Sequence, residues 1–314
     1  MDLSETWEQP GTMPGARLSV SPEVLREDVL ALALDIGERN VRDDLRARRL
    51  GLARDFLIQR LEGMGCTVRL QGYMAAGRPV ENLEVELPGT SPGAGVLVVG
   101  AHYDSAPDSP GANDNASGLA ALLALAGAFH SGALPRPACT VRFVAFCTEE
   151  PPFTRTPEMG SFVYARHCRE RLDDIRAMLS LETLGSYAHG HRWPEGPFPL
   201  NLFSPFRADF FAVVGNLASR ELVRRCVQAF PSQPDVKCKG VALPGLLPGV
   251  RSSDHWAFWK HGYPAVMLTD TAPFRYRHYH RASDQLGRVD FSTLASVTAG
   301  LISMVRELAS ARAV

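Results

Sequence analysis

The six cysteines include no C-x-x-C pair, and no window of the 314 residues approaches 18 uninterrupted apolar positions. The first absence leaves Cys66, Cys139, Cys147, Cys168, Cys226 and Cys238 to be read as reduced thiols, four of them in strand-like or helical runs where burial is expected. The second removes any expectation of a transmembrane helix. An excess of one charge is also missing: 33 Lys and Arg stand against 34 Asp and Glu, for a formal net charge of -1. A near-neutral chain offers no basic face to nucleic acid or to an anionic membrane, so neither is expected as a partner. The short basic run Arg46-Ala47-Arg48-Arg49 reads as a solvated helix face. The opening stretch, MDLSETWEQPGTMPGARLSV, has no basic start followed by an apolar segment. No secretory signal is therefore expected, and a reducing cytoplasm is the expected compartment. Nucleophile-elbow, P-loop and dinucleotide fingerprints are absent as well, which leaves serine hydrolases, NTPases and dehydrogenases with little support.

What is present is an ordinary globular composition, 45% hydrophobic and 21% charged. The chain is long enough to bury roughly three quarters of its unfolded surface. Ser21-Pro22-Glu23 is a helix start, and Val24, Leu25, Val29, Leu32 and Ile36 follow at helical spacing. Further helices are expected over about 45–64, 115–130, 160–171, 219–230 and 290–312. CTVRLQGYM, NLEVELPG, GVLVVGAHY, CTVRFVAFCTEE, AMLSLET, FPLNLFSPF, DFFAVVGN and PAVMLTD read as strands. The Gly- and Pro-rich stretches 186–199 and 231–251 lack periodicity and read as loops. Alternating strands and helices predict a three-layer α/β/α sandwich with a mixed, mostly parallel central sheet. With no repeat, low-complexity tract or linker, residues 21–314 are expected to form a single domain behind a flexible leader at 1–20.

Ligands of open α/β sheets gather beyond the carboxyl ends of the strands. Three apolar strands here end in candidate metal ligands: His102 and Asp104, then Glu149-Glu150, then Glu182. Asp114 follows the first of these strands, flanked by Asn113 and Asn115 just before an alanine- and leucine-rich helix. His278 and His280 lie in a polar loop after the strand PAVMLTD. Carboxylates packed together repel and take up protons unless a cation neutralises them. Imidazole with carboxylate suits zinc and its neighbours better than an all-oxygen set would. Two histidines and several carboxylates can hold two metals about 3.5–4 Å apart if one carboxylate bridges them. Adjacent residues of an extended segment point to opposite sides, so one of Glu149 and Glu150 can hold metal while the other faces substrate. The residues alone do not order that pair, nor do they choose between His278 and His280.

The pieces GAHYDS, PGANDNASG, the acid pair followed by MGS, SLETLG, SSDHWAFWKHGYPAVMLTD and YHRASD occur in one order over roughly 96–290. In that order they resemble the co-catalytic zinc exopeptidases, family twenty-eight of the metallopeptidases. That family includes bacterial leucyl aminopeptidases, glutamate carboxypeptidases and relatives of glutaminyl cyclase. The resemblance implies that His102 and Glu182 hold one divalent ion, Glu150 and His280 the other, and that Asp114 bridges both. It assigns Glu149 as general base and Asp104 as the acid that fixes the His102 ring, with two zinc ions as cofactors. The implied reaction is hydrolysis of N-terminal residues from peptides or small aminoacyl substrates by a metal-activated water. It also implies a cis peptide bond between Asp114 and Asn115.

Two departures stand out. The family's aminopeptidases carry Asp where this chain has Glu182, and about five extra residues, within PPFTRTPE at 151–158, lengthen the link from the acid pair to Gly160-Ser161. That insertion fits either a pocket wall or a surface loop. His278 reads as solvated or near substrate, and His255 as a rim residue with Asp254 in either a structural or a catalytic role. His189 and His191 resemble a metal pair only by spacing, while Trp256, Phe258 and Trp259 read as core. The rival readings are a carboxypeptidase or dipeptidase, a one-zinc glutaminyl cyclase, and an inactive interaction domain on the same scaffold. Retention of His102 argues against the cyclase, and a full ligand set with Glu149 argues against a dead site.

Overall fold

The computed structural model describes residues 5–8, 19–192, 207–208, 210–233 and 236–310. In chain order these form β1 (Glu5–Glu8), α1 (Pro22–Leu30), α2 (Asp44–Gly63), β2 (Val68–Ala75), β3 (Arg78–Leu87), β4 (Val96–His102), α3 (Gly118–His130), β5 (Thr140–Phe146), α4 (Gly160–Glu170) and β6 (Ile175–Glu182). There follow β7 (Ala188–Arg192), β8 (Arg207–Ala208), β9 (Phe210–Asn216), α5 (Arg220–Ala229), β10 (Lys237–Leu243), α6 (His255–Lys260), β11 (Ala265–Thr269), α7 (Ala272–Arg275) and α8 (Phe291–Ser310). Helix starts carry the expected chemistry. The Ser21 hydroxyl accepts the Val24 N–H at 3.3 Å ahead of Pro22, and Asp43 accepts the Arg46 N–H at 2.9 Å.

Nine of the described strands form one sheet in the order β1-β10-β9-β11-β6-β4-β5-β3-β2, and β7 and β8 form a separate pair. The centre, β11-β6-β4-β5, is parallel throughout. The β2, β3 and β1 pairings and the β9–β11 pairing are antiparallel. The sheet is mixed, as expected, but not mostly parallel: four of its eight described pairings are parallel, the three at the centre, where the apolar runs need cover on both faces, and β9–β10.

Strand alternation sends successive side chains to opposite faces, and the buried apolar residues fall into three clusters, two of them over the central strands. Leu97, Val99 and Ala101 of β4 join Val141, Phe143, Leu179 and Leu181 against residues of α1, α2, α3, α5 and α8. Val98 points the other way, with Val144, Phe146 and Met178, against Tyr164 and Ala165 of α4 and Phe258 of α6. Helices therefore cover both faces, and the carboxyl ends of the four central strands share one open edge.

Most expected elements occupy their expected places, within a few residues. The exceptions are β7 and β10, which fall in the stretches 186–199 and 231–251 read as loops. Lys237, Lys239 and Gly240 break up the apolar pattern of β10, and Lys239 is accommodated because its ammonium lies 5.4 Å from the Phe210 ring and 3.2 Å from Glu8. Within the expected 1–20 leader, Glu5–Glu8 pairs antiparallel with β10. The expected strand FPLNLFSPF, at 198–206, lies outside the described residues. Among the described residues, no helix is long and apolar enough to cross a membrane.

Candidate metal centre

Strand geometry brings the first ligands together. Parallel pairing sets Gly100 of β4 opposite Ser180 of β6, so His102 and Glu182 leave the sheet at the same edge. His102 also stands opposite Phe146, the last residue of β5, three positions before Glu149. The turn 112–117 before α3 then carries Asp114 under this edge, with the Asp114–Asn115 bond cis, as the resemblance implied.

The candidate ligands converge. His102 Nε2 lies 3.3 Å from Asp114 Oδ1 and 3.5 Å from Glu182 Oε2. His280 Nε2 lies 3.1 Å from Asp114 Oδ2 and 3.1 Å from Glu150 Oε2. Asp114 thus turns one oxygen to each histidine. His102 Nε2, His280 Nε2, Asp114 Oδ2, Glu150 Oε1 and Glu182 Oε1 are all buried without a hydrogen-bond partner. Buried polar atoms are ordinarily satisfied, so this many orphans in one cluster fit donors prepared for a cation. One atom each from His102, Asp114 and Glu150 falls within 4.8 Å of the others. Nitrogen and oxygen donors together suit a divalent transition metal.

The electrostatics agree. Burial, then repulsion from Asp114, raises the Glu150 carboxyl to about 8 despite the pull of His280. Burial would lower the two imidazoles, but Asp104, Asp114 and Glu182 hold His102 well above the usual histidine range. Asp114 and Glu150 likewise push His280 up to about 11. A proton and a metal ion compete for the same imidazole lone pair, so a divalent cation taken up here would have to displace these protons. Burial, with Glu150, Glu182 and Asp254 opposing the attraction of His102, raises Glu149 well above the carboxylate range.

The surrounding hydrogen bonds explain why Asp114 sits between two amides. Asn113 donates its side-chain N–H to Asp270 at 2.9 Å and accepts the Gly185 N–H at 2.8 Å. Asn115 donates to the Leu181 carbonyl at 2.8 Å and accepts the N–H of Gly118 at 3.2 Å and of Thr183 at 3.1 Å. Each amide clamps the Asp114 turn to the segment that leaves β6 beside Glu182. Two glycines make room for it. Gly111 adopts φ 64° and a Cβ there would strike the Asp114 carbonyl, while a Cβ on Gly118 would strike the Asn115 side chain.

The family model for peptidase family M28 matches residues 82–305, the span from β3 into α8 that holds every one of these residues. The chain belongs to peptidase family M28. It is with that a metallopeptidase, acting on peptides. It is 33% identical over 303 residues to the uncharacterised protein YfbL of Escherichia coli K12, covering 93% of this chain and 90% of that one. A probable zinc metalloprotease of Pyricularia oryzae is 29% identical over 269 residues, 74% of this chain, which spans only about half (51%) of that relative's length. In fold, the chain superposes on BSAP, a zinc aminopeptidase from Bacillus subtilis, with a TM-score of 0.65 at 14% identity, over 91% of this chain and 95% of that one.

Some features of this M28 site had no signal in the pattern. Asp104 does more than face His102. His102 Nδ1 has the Asp104 carbonyl at 3.2 Å and the Asp104 carboxylate at 3.4 Å, while the two carboxylate oxygens accept the N–H of Glu149 and of Glu150, each at 3.1 Å. The 151–158 insertion folds back on the acid pair: Phe153 N–H donates to the Glu150 carbonyl at 2.9 Å and the Thr154 hydroxyl to the Glu149 carbonyl at 2.8 Å. Glu182 is held by the Ser253 hydroxyl at 2.8 Å, which pairs in turn with Ser180 at 2.8 Å. Thr148, Thr183 and Thr271, beside Glu149, Glu182 and Asp270, take positive φ, as does His280. Left-handed backbone at a β-branched residue costs on the order of 1–3 kcal/mol and collects at functional sites. Arg39, fully buried, spends its guanidinium on the carbonyls of Tyr103, Leu32, Gly37, Pro110 and Gly111, fastening the loop between His102 and Asp114.

Other candidates go elsewhere. His278 Nδ1 pairs with the Ser283 hydroxyl at 2.8 Å and not with the cluster. His255 and Asp254 are fully buried rather than at a rim. His255 Nε2 donates to the Val250 carbonyl at 2.7 Å, a structural role. Burial, then repulsion from Glu182 and Asp104 against the pull of His102, raises Asp254 to about 7. Phe258 is core, Trp259 donates to the Ala265 carbonyl at 2.8 Å, and Trp256 stacks on Phe162. His189 and His191 sit on β7, and their side chains lie outside the described residues.

Proposed function

We propose that this M28 peptidase is a two-zinc aminopeptidase that releases N-terminal residues from peptides, with residues 21–314 as one catalytic unit. The observation that carries the reading is Asp114, whose oxygens lie 3.3 Å from His102 Nε2 and 3.1 Å from His280 Nε2. A carboxylate so placed is suited to be shared by two ions. In this reading His102 and Glu182 hold one ion, and Glu150 and His280 the other. Zinc is supported by the donor set and by the descriptions of the Pyricularia and Bacillus proteins. The free N-terminus as target rests on the likeness to the family's aminopeptidases.

When bound, the two ions supply Lewis acidity that polarises the scissile carbonyl and lowers the pKa of the attacking water. The remaining tasks fall to side chains. Glu149 takes the proton from that water and returns it to the leaving amine. Asp104, through the N–H groups of Glu149 and Glu150, aligns the base and a neighbouring ligand together while facing the His102 ring. Ser253 fixes the longer Glu182 side chain toward His102.

The test is a substrate panel on metal-stripped and zinc-reloaded protein: aminoacyl anilides, N-blocked peptides with a free carboxyl end, and an N-terminal glutaminyl substrate. Hydrolysis of the anilides, lost on stripping and regained with zinc, is the expected result. Turnover of the N-blocked peptides alone would make it a carboxypeptidase, and release of a cyclised glutaminyl product would make it a cyclase. No turnover on any arm would leave an interaction domain.

A further inference from the structure

In the sequence, Asp284 is only the acid four residues past His280. In the fold its carboxylate is fully buried and works on a different segment. Oδ1 accepts the Asn113 N–H at 2.9 Å and the Tyr276 hydroxyl at 2.7 Å, and Oδ2 accepts the Asp114 N–H at 3.1 Å. The Asp284 carbonyl accepts the Ala112 N–H at 3.3 Å. Three consecutive amides, 112–114, are thereby tied to one residue of the loop that carries His280. Tyr276 and Asp284 bracket His280 and bond to each other, so the loop is closed on itself and tied to the Asp114 turn through Asp284.

Such a pin has an asymmetric job. His102 stands at the end of β4, the central strand, where the β5 and β6 ladders and Asp104 hold it. His280 stands on a loop, with its side chain 33% exposed and its backbone at φ 55°. Its 3.1 Å approach to Asp114 therefore depends on how the loop meets the turn. We infer that Asp284 is a positioning residue that sets the separation of Asp114 and His280, and so the affinity of one ion, the one held by Asp114, Glu150 and His280. The other ion shares Asp114 but keeps His102 and Glu182, which Asp284 does not touch, so it feels Asp284 less. This inference rests on the two-metal reading above.

The experiment titrates the metal-stripped full chain with zinc by calorimetry and counts bound ions by mass spectrometry. Wild-type protein binding fewer than two ions would sink the two-metal reading itself, before any variant is compared. With two ions bound, Asp284→Asn removes one of the acceptors facing the two N–H groups at unchanged size. It is expected to weaken one ion about 10–100-fold, the range for groups that orient metal ligands, and to weaken the other, which shares only Asp114, much less. His280→Ala identifies the ion: the one it abolishes should be the one Asp284→Asn weakens, and the double variant should bind like His280→Ala alone. Tyr276→Phe leaves both carboxylate acceptors of the backbone N–H groups in place and carries the test if Asp284→Asn does not fold, with a smaller loss that falls mainly on the same ion. Equal weakening of both ions, greater weakening of the other ion, or no change would overturn the assignment. A merely structural acid would lower stability and move both affinities together.

Discussion

Asp104→Asn probes how one carboxylate serves two parts of the site. Asp104 is 2% exposed, and its oxygens accept the N–H groups of Glu149 and Glu150, each at 3.1 Å. An asparagine has one accepting oxygen, so one of the two N–H groups must face the new amide NH2. A buried donor left unpaired costs about 1–3 kcal/mol. In a chain of 314 residues each kcal/mol moves the melting temperature by roughly 1.5 °C, so the variant should melt roughly 1.5–5 °C lower in the metal-free state. The acid pair it loosens includes a proposed ligand, so zinc affinity should also fall about 10–100-fold. Differential scanning calorimetry of stripped protein and zinc titration read the two effects separately. A variant that melts within about 1 °C of wild type and binds zinc equally would refute the reasoning, because the two hydrogen bonds would then be contributing nothing.

Glu149→Gln should keep both ions and lower kcat about 10²–10⁴-fold; normal turnover with zinc bound would remove Glu149 from its role. Gly118→Ala drives a methyl into the Asn115 side chain and toward the Leu181 carbonyl, so urea unfolding should show a loss of about 1–3 kcal/mol; an unchanged midpoint would show that the turn can yield. His255 is held down to about 4 by burial. The unfolded imidazole therefore binds a proton that the folded one refuses, and stability fully present above about pH 6.5 drains away as pH falls toward the folded value. The stability difference between wild type and His255→Asn should accordingly shrink by about 2 kcal/mol between pH 6.5 and 5. A difference constant over that range would mean the ring is not buried in its neutral form.

The strands that position the site were legible because burial on both faces leaves an unbroken apolar run, as in Val96 to Ala101 and Phe143 to Phe146. The acids that close those runs stand at the sheet edge for the same reason: a parallel centre sends every strand end the same way. β10 was not legible, since its identity depends on the partner Phe210 and the edge strand β1, which no local pattern announces. The supporting shell was also hidden. Asp284 and Asp270 each reach the Asp114 turn across more than 150 positions of chain, and such pairs have no periodicity to betray them. Asp104 was visible as a partner of His102, but its grip on Glu149 and Glu150 requires the β4–β5 register to be known. The threonines at positive φ beside Glu149, Glu182 and Asp270 contradict their own local preference. Only tertiary contacts such as the Thr183–Thr269 hydroxyl pair at 3.0 Å hold them there.

The central claim is that Asp114 joins two metal ions between His102 and His280. Anomalous diffraction at the zinc edge from zinc-loaded crystals tests it most directly. The account predicts two peaks about 3.5–4 Å apart, with Asp114 contributing one oxygen to each, His102 on one and His280 on the other. A single peak, or two peaks of which Asp114 touches only one, would contradict it.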